Sequence, residues 1–329
     1  MRSQPQVMIL GTGRAVPERI LSNADLEKMV DTSDQWIVER TGIRERRVAK
    51  PGTPLSELAS AAARAALEDA GLRGDQIDLV VVGTVTGDMK FPSTACIVQE
   101  QIGAKRAAAF DLSAACSGFL YSLQVASGLM AVGGYRHALV IGGEVLTSMV
   151  DWSDRDTCVL FGDGAGAVVL GPSREDRGLL GLHLGSDGAH SRLLYNAGGG
   201  SLFPPSAASV EGNLHVIRME GREVFRHAVS AMVEALQDVL RQTGFSLQDL
   251  DLLIPHQANL RIIEAVAKRF GVAPERLFVN VDRYGNTSAA SIPIALDEVR
   301  KSGRAKSGDL LGLVTFGAGF TWAAGIVKL

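Results

Sequence analysis

One pattern of helix, turn and strand occurs twice in this chain, and that duplication limits the possible folds more than any other feature. Residues 56–71 (SELASAAARAALEDAG) repeat apolar side chains at helical spacing. Residues 76–85 (QIDLVVVGTV) then form a continuous apolar run, the mark of a strand covered on both faces. Residues 232–244 (MVEALQDVLRQTG) and 247–258 (LQDLDLLIPHQA) repeat the order. A single offset of 173 lays Leu67 on Leu240, Gly71 on Gly244 and Asp78 on Asp251. Looser echoes follow in the same order: 102–118 against 270–290, and 160–170 against 315–329. Helical and strand-like runs that alternate in this way predict an α/β protein of βαβ units with mostly parallel sheets. At 329 residues and 46% apolar content, the chain is long enough to bury two such cores. The predicted halves are residues 1–171 and 172–329. Residues 172–213, rich in glycine, proline and serine, read as irregular loops between them.

Charge removes whole classes of function. Lysine plus arginine number 33 against 36 aspartate plus glutamate, a net charge of -3, so no strong basic field is available for nucleic acid or anionic lipid. The three cysteines, Cys96, Cys116 and Cys158, form no even framework and no cluster with histidine at metal-ligand spacing. Free thiols in a reducing cytoplasm, with no metal, are expected. The opening MRSQPQVMILGTG has a short apolar run and no small-residue cleavage site, which predicts no signal peptide. Residues 112–135 and 310–327 are uncharged and long enough to cross a bilayer. Serines and Gln124 interrupt the first and four glycines break the second, so both read as interior segments and no membrane is expected.

The segment DLSAACSGFLYSL, beginning at Asp111, reads as strand, tight turn and helix, with Cys116 at the helix start. Unpaired backbone N–H groups and the helix dipole would stabilise a thiolate there and could donate to an oxyanion. That is the chemistry of an acyl-accepting nucleophile. The alternative is a small packed cysteine, and Cys96 and Cys158 keep that reading. Two further stretches favour the nucleophile. In LLIPHQANL, His256 ends an apolar strand, and in DRYGNTSAAS, Asn286 sits in a glycine turn before small residues that open a helix. Strand ends in open α/β sheets are where sites collect.

Cys116 in AACSGF, His256 in PHQAN, Asn286 in GNTSAAS and the closing FGAGFTW resemble the β-ketoacyl-acyl carrier protein synthase III family of the thiolase superfamily. The resemblance extends from GTGRAVPER at residues 11–19, through DTSDQWIVERTGIRER, to the last strand. It implies a thiolase-like fold, with duplicated βαβ halves in an αβαβα layered architecture. The implied activity is a decarboxylating Claisen condensation. An acyl-CoA, in the first instance acetyl-CoA, loads Cys116, and malonyl-acyl carrier protein then gives the 3-oxoacyl product that initiates fatty acid synthesis. His256 and Asn286 would act as neutral donors to the thioester oxygen as the enolate forms. The backbone N–H groups of Cys116 and Ala318 would form the hole for the acyl-transfer step.

The same resemblance implies that coenzyme A contacts Thr32, Trp36, Arg40, Arg155, Gly221 and Asn259, with adenine between Trp36 and Arg155. Trp36 and Arg40 are four apart, so they share a face if DQWIVER is helical. Arg226, Arg261, Lys268 and Arg269 match basic positions that dock the acidic carrier protein. Phe91, Leu146, Phe161 and Leu193 match acyl-pocket positions, Phe91 by crossing a homodimer interface. Coenzyme A thioester is a substrate, and no cofactor is expected. The other histidines read as structural or surface groups.

Related chemistries differ in residue type. Thiolases use a second cysteine near the C-terminus, whereas the last cysteine here is Cys158. Elongating synthases place a second histidine where this chain has Asn286. A starter-unit condensing enzyme of secondary metabolism is the runner-up. A non-catalytic acyl-CoA-binding subunit and a thiol hydrolase are further alternatives.

Overall fold

A computed structural model describes residues 7–173 and 177–329. Residues 1–6, part of the segment read as lacking a signal peptide, lie outside the described residues. The first sheet is built from β1 (Val7–Ala15), β2 (Leu79–Gly83), β3 (Ala108–Leu112), β4 (Ala138–Val145) and β5 (Asp163–Pro172). Its order is β1-β5-β4-β2-β3. The second contains β6 (Gly178–Ser186), β7 (Leu252–Pro255), β8 (Leu310–Gly317) and β9 (Thr321–Lys328), in the order β7-β8-β9-β6.

Strand directions repeat between the sheets. β2 runs parallel to β4 as β7 does to β8, and β5 lies antiparallel between β4 and β1 as β9 does between β8 and β6. β3, parallel to β2, has only a remnant counterpart, the bridge of Leu253 with Leu277. The sheets are therefore mixed, which corrects the expectation of mostly parallel pairing. Only residues 318–320 separate β8 from β9, and a connection that short closes an antiparallel hairpin. A second correction concerns residues 172–213, read as loops. They contain β6, a nine-residue strand whose glycine-interrupted sequence GLLGLHLGS hid its alternation.

Among the described residues the seven longer helices are α1 (Asp34–Thr41), α2 (Leu55–Ala70), α3 (Thr94–Gln101), α4 (Gly118–Gly133), α5 (Gly221–Thr243), α6 (Leu260–Phe270) and α7 (Ser291–Lys301). The two-residue strand period sorts them into layers. Leu79 and Val81 on β2 face α4 and α7, which also meet Leu252 and Ile254 of β7. Val80 and Val82 face α2, and Leu253 faces α5. The order is α2 and α3, sheet, α4 and α7, sheet, α5 and α6, an αβαβα stack.

A Cβ on Gly13 would lie 2.3 Å from the Ala62 carbonyl oxygen, so glycine there lets α2 lie directly on β1. The segment Ala115–Gly133 is long and apolar enough to span a bilayer, but it packs between the two sheets through Phe119, Leu120 and Leu123. A middle-layer helix meets protein on both sides, which explains its composition.

Candidate active site

The chain leaves β3 at Leu112 and enters α4 at Gly118 through a short turn, Ala115–Ser117. Ala115 holds φ at 46°, a left-handed conformation that a side chain makes costly. The neighbouring loop locks this turn. Ser117 Oγ donates to the Thr321 carbonyl at 3.2 Å, and the Thr321 hydroxyl faces the carbonyls of Ala114 at 3.0 Å and Ala318 at 3.2 Å. Gly317 completes the fit, because a Cβ there would stand 2.7 Å from the Cys116 nitrogen.

Cys116 is buried, and loss of hydration pushes its thiol up to about 12. A Ser288 hydrogen bond works downward, and the Glu144 charge works upward. Burial therefore opposes the thiolate that the turn's N–H groups would favour. Cys158 is buried as expected, whereas Cys96 is exposed beside Ser93 at the start of α3, which corrects its reading as a core residue.

His256 directly follows β7, and its N–H donates to the Val314 carbonyl on β8 at 2.8 Å. Its Nδ1 lies 2.6 Å from Ser291 Oγ at the start of α7. Burial pushes the imidazole down to about 3, so the ring is neutral at physiological pH. Asn286 is tied by backbone bonds to Leu160 and Gly162, and its Oδ1 accepts from the Ser288 N–H at 2.8 Å. That bond fixes the amide, leaving Nδ2 as the group free to donate.

Cys116, His256 and Asn286 line one cavity of about 510 Å³. Its outer rim is formed by Trp36, Arg40, Arg222 and Asn259, and its walls by apolar groups including Val159, Phe225 and Met232. A second cavity of about 420 Å³ lies beyond the sulfur and is lined by Cys116, Leu146, Phe161, Ser288 and Ala318. A long thin ligand entering at Trp36 would thus reach Cys116 end-on.

The remaining predicted positions fall into three groups. At the rim, α1 is helical as expected, and the guanidinium carbons of Arg40 and Arg155 stand 5.8 and 5.1 Å from the Trp36 ring centroid. Asn259 caps α6 at Arg261 and donates to the Arg40 carbonyl, and Gly221 opens α5 at the rim. Thr32 Oγ1 is buried with no partner among the described residues. The exposed Arg226, Arg261, Lys268 and Arg269 lie on α5 and α6, with Arg261 over Phe225. In the acyl region, Leu146 and Phe161 line the second cavity, but Leu193 does not, and its neighbour Leu194 takes that place. Leu193 packs instead with the α5 and α6 core, and Phe91 is 85% exposed, lining neither cavity.

Ala318 is not in the left-handed region, so its side chain causes no strain. Sequence reasoning missed Glu144, Ser288, Ser291, Thr321 and Arg222. Only Glu144 left a signal, as the single charge within the apolar strand ALVIGGEV.

A family model described as 3-oxoacyl-[acyl-carrier-protein (ACP)] synthase III matches residues 110–188, and one described as its C terminal matches residues 240–329. A beta-ketoacyl-[acyl-carrier-protein] synthase III of Desulfitobacterium hafniense is 55% identical over 322 residues, 98% of this chain and 97% of the relative. The crystal structure of the Aquifex aeolicus 3-oxoacyl-[acyl-carrier-protein] synthase III superposes with a TM-score of 0.92 at 46% identity, covering 98% of this chain and 100% of that one. A priming beta-ketosynthase from a polyketide biosynthetic pathway superposes with a TM-score of 0.91 at 38% identity, over 100% and 98% of the two chains.

Proposed function

Because this chain belongs to the 3-oxoacyl-[acyl-carrier-protein] synthase III family, we propose that it condenses a short acyl-CoA with malonyl-acyl carrier protein to start fatty acid synthesis. Cys116 attacks the acyl thioester while the N–H groups of Cys116 and Ala318 hold the carbonyl oxygen, and coenzyme A leaves. Malonyl-carrier protein follows, and its thioester oxygen accepts from His256 and Asn286. This reading requires the Ser291 hydroxyl, 2.6 Å from Nδ1, to donate to it, so that the neutral ring carries its proton on Nε2 and can donate. Carbon dioxide departs, the stabilised enolate attacks the acyl-enzyme, and the 3-oxoacyl product forms. The observation that carries this reading is the pair of anchors at the cavity floor: Ser291 on His256 Nδ1 and the Ser288 N–H on Asn286 Oδ1. They leave two uncharged donors beside one thiol.

Three features support the substrate assignments. The apolar passage from the Trp36 rim to Cys116 suits a phosphopantetheine arm, with phosphate near Arg40 and adenine on the Trp36 ring once Arg155, which covers that ring at 5.1 Å, swings aside. Thr32, Gly221 and Asn259 complete the coenzyme contacts. The exposed Arg226, Arg261, Lys268 and Arg269 suit an acidic carrier protein. The half-exposed edge strand β3 and the protruding Phe91 suit a homodimer in which Phe91 enters the partner's acyl cavity. Every step uses side chains and the substrates' own thioesters, so no cofactor or metal is called for, and the cytoplasm, where those substrates are made, is the expected compartment.

The similarity to a polyketide priming enzyme favours a second reading, with the same chemistry on a different primer. Incubating the protein with malonyl-carrier protein and equal acetyl-, isobutyryl- and octanoyl-CoA, then weighing the carrier products, separates the two. A 3-oxobutanoyl carrier supports fatty acid initiation with acetyl-CoA, and a longer or branched product selects another primer. Free acid without any condensation product would replace both readings with a thiol hydrolase.

A further inference from the structure

The proposed condensation, on which this inference rests, leaves one proton without a destination. Cys116 enters as a thiol, becomes a thioester, and must leave as a sulfur that recovers its hydrogen. His256 suits this poorly, since its Nε2 proton is committed to the enolate oxygen and burial opposes a second proton on the ring.

Behind the sulfur stands a better acceptor. Glu144, next to the last residue of β4, is fully buried. Its carboxylate accepts from Thr84 Oγ1 at 3.0 Å, from the Val85 N–H at 3.2 Å and from Thr86 Oγ1. Ser288 Oγ lies 3.3 Å from Glu144 Oε1, and Ser288 lines the cavity beyond the sulfur together with Cys116. Ser288 is buried, and its backbone is held at φ 50°. Burial raises Glu144 to about 7, near the operating range of a general base. Other ionisable groups on elements against β4 are engaged elsewhere. Asp163 is bound to Ala49 and Thr147, Asp111 caps α3, and Asp297 and Glu298 pair with Arg14, Lys301 and Arg283.

We propose that Ser288 and Glu144 form a proton relay for Cys116. As the sulfur bonds to the acyl carbon, its proton passes to Ser288 Oγ while the Ser288 proton passes to the Glu144 carboxylate. The thioester C–S bond of the acyl-CoA breaks, and coenzyme A leaves with that electron pair as a thiolate that takes a proton from solvent. Glu144 holds the cysteine's proton for the lifetime of the acyl-enzyme. When the enolate has attacked and the second tetrahedral intermediate collapses, Cys116 departs with the C–S electron pair and recovers the proton by the reverse path. One solvent proton is consumed per cycle, which balances conversion of a malonyl carboxylate into neutral carbon dioxide.

The test is the pH dependence of acyl loading, followed by rapid-quench intact mass with acetyl-CoA, in wild type, Glu144→Gln, Glu144→Asp and Ser288→Ala. Wild-type loading should rise with pH as Glu144 ionises. Glu144→Gln should lose that rise and load more slowly, on the order of 10²-fold. Primer-independent decarboxylation of malonyl-carrier protein reports on His256 and Asn286, so the ratio of loading to decarboxylation should fall by the same factor. Glu144→Asp should regain part of the loading rate and the pH rise, whereas Ser288→Ala should behave like the glutamine variant. Wild-type rates and profile in Glu144→Gln would overturn the relay, as would parallel loss of loading and decarboxylation, which marks a purely structural role. A wild type that never loads would instead remove the proposed function itself.

Discussion

The turn ahead of Gly118 and the turn ahead of Ser291 stand 173 positions apart, and each begins with a non-glycine residue in the left-handed region, Ala115 at φ 46° and Ser288 at φ 50°. Each passes through a short 3-10 turn, Ala115–Ser117 or Ser288–Ala290, into a middle-layer helix. Their side chains diverge. Ala289 occupies the position that corresponds to Cys116, and Ser113 the one that corresponds to Asn286. The two backbones are equivalent and strained alike, and in the proposed reaction one carries the nucleophile and the other the donor that holds the second substrate. The turns can share a site because they touch, a Cβ on Gly118 lying 3.4 Å from the Ala289 Cβ.

Removing the specialised side chains should have the largest effects. Cys116→Ala should abolish acyl-enzyme formation and lower condensation by on the order of 10⁴-fold or more, read as 3-oxoacyl product, while malonyl decarboxylation persists. On the other turn, Asn286→Ala should lower condensation by about 10²- to 10³-fold, yet still permit loading of Cys116 in an intact-mass assay. Equal loss of loading in both variants would mean that the turns do not divide the reaction.

Smaller effects should follow from disturbing the backbone that the turns share. A Cβ on Gly83 would sit 2.6 Å from the Gly118 carbonyl carbon, and one on Gly142 would sit 2.2 Å from the Ala289 oxygen. Gly83→Ala and Gly142→Ala should each cost about 1–3 kcal/mol in denaturant unfolding, by forcing its turn away from the sheet. The mildest test concerns helix ends. Gly71 and Gly244, at φ 64° and 75°, close α2 and α5 with nothing within 4 Å of a would-be Cβ. Gly71→Ala and Gly244→Ala should therefore cost about 1 kcal/mol each, and by the same amount, because only the left-handed backbone is at stake.

What the sequence revealed follows the range of the forces involved. Helix and strand periods are local, so α2, β2, α5 and β7 could be read directly, and the matching offset exposed the duplication. Cys116, His256 and Asn286 could be singled out because Cys116 and His256 follow apolar strands and Asn286 follows a glycine turn before small residues, each a local signature. β6 was hidden by its glycines, and Leu193 was displaced because it lies in the bend just before the short strand Leu194–Asn196, whose first residue lines the cavity instead. Ser288, Ser291 and Thr321 could not be found from sequence at all. Their roles come from long-range contacts, such as the Thr321 hydroxyl reaching Ala114 across 207 positions. The burial of Cys116, which opposes its thiolate, was hidden too, since the dipole of its helix is visible in the sequence and its burial is not.

The most direct measurement is the intact mass of the folded protein after brief exposure to an equimolar mixture of acetyl-, isobutyryl- and octanoyl-CoA, beside Cys116→Ala treated in the same way. A single acyl adduct on the wild type, absent from the variant, is the expected result and would identify the primer as well as the nucleophile. An unmodified wild type, or an equal adduct on both proteins, would contradict the assignment of Cys116 and with it the division of labour between the two turns.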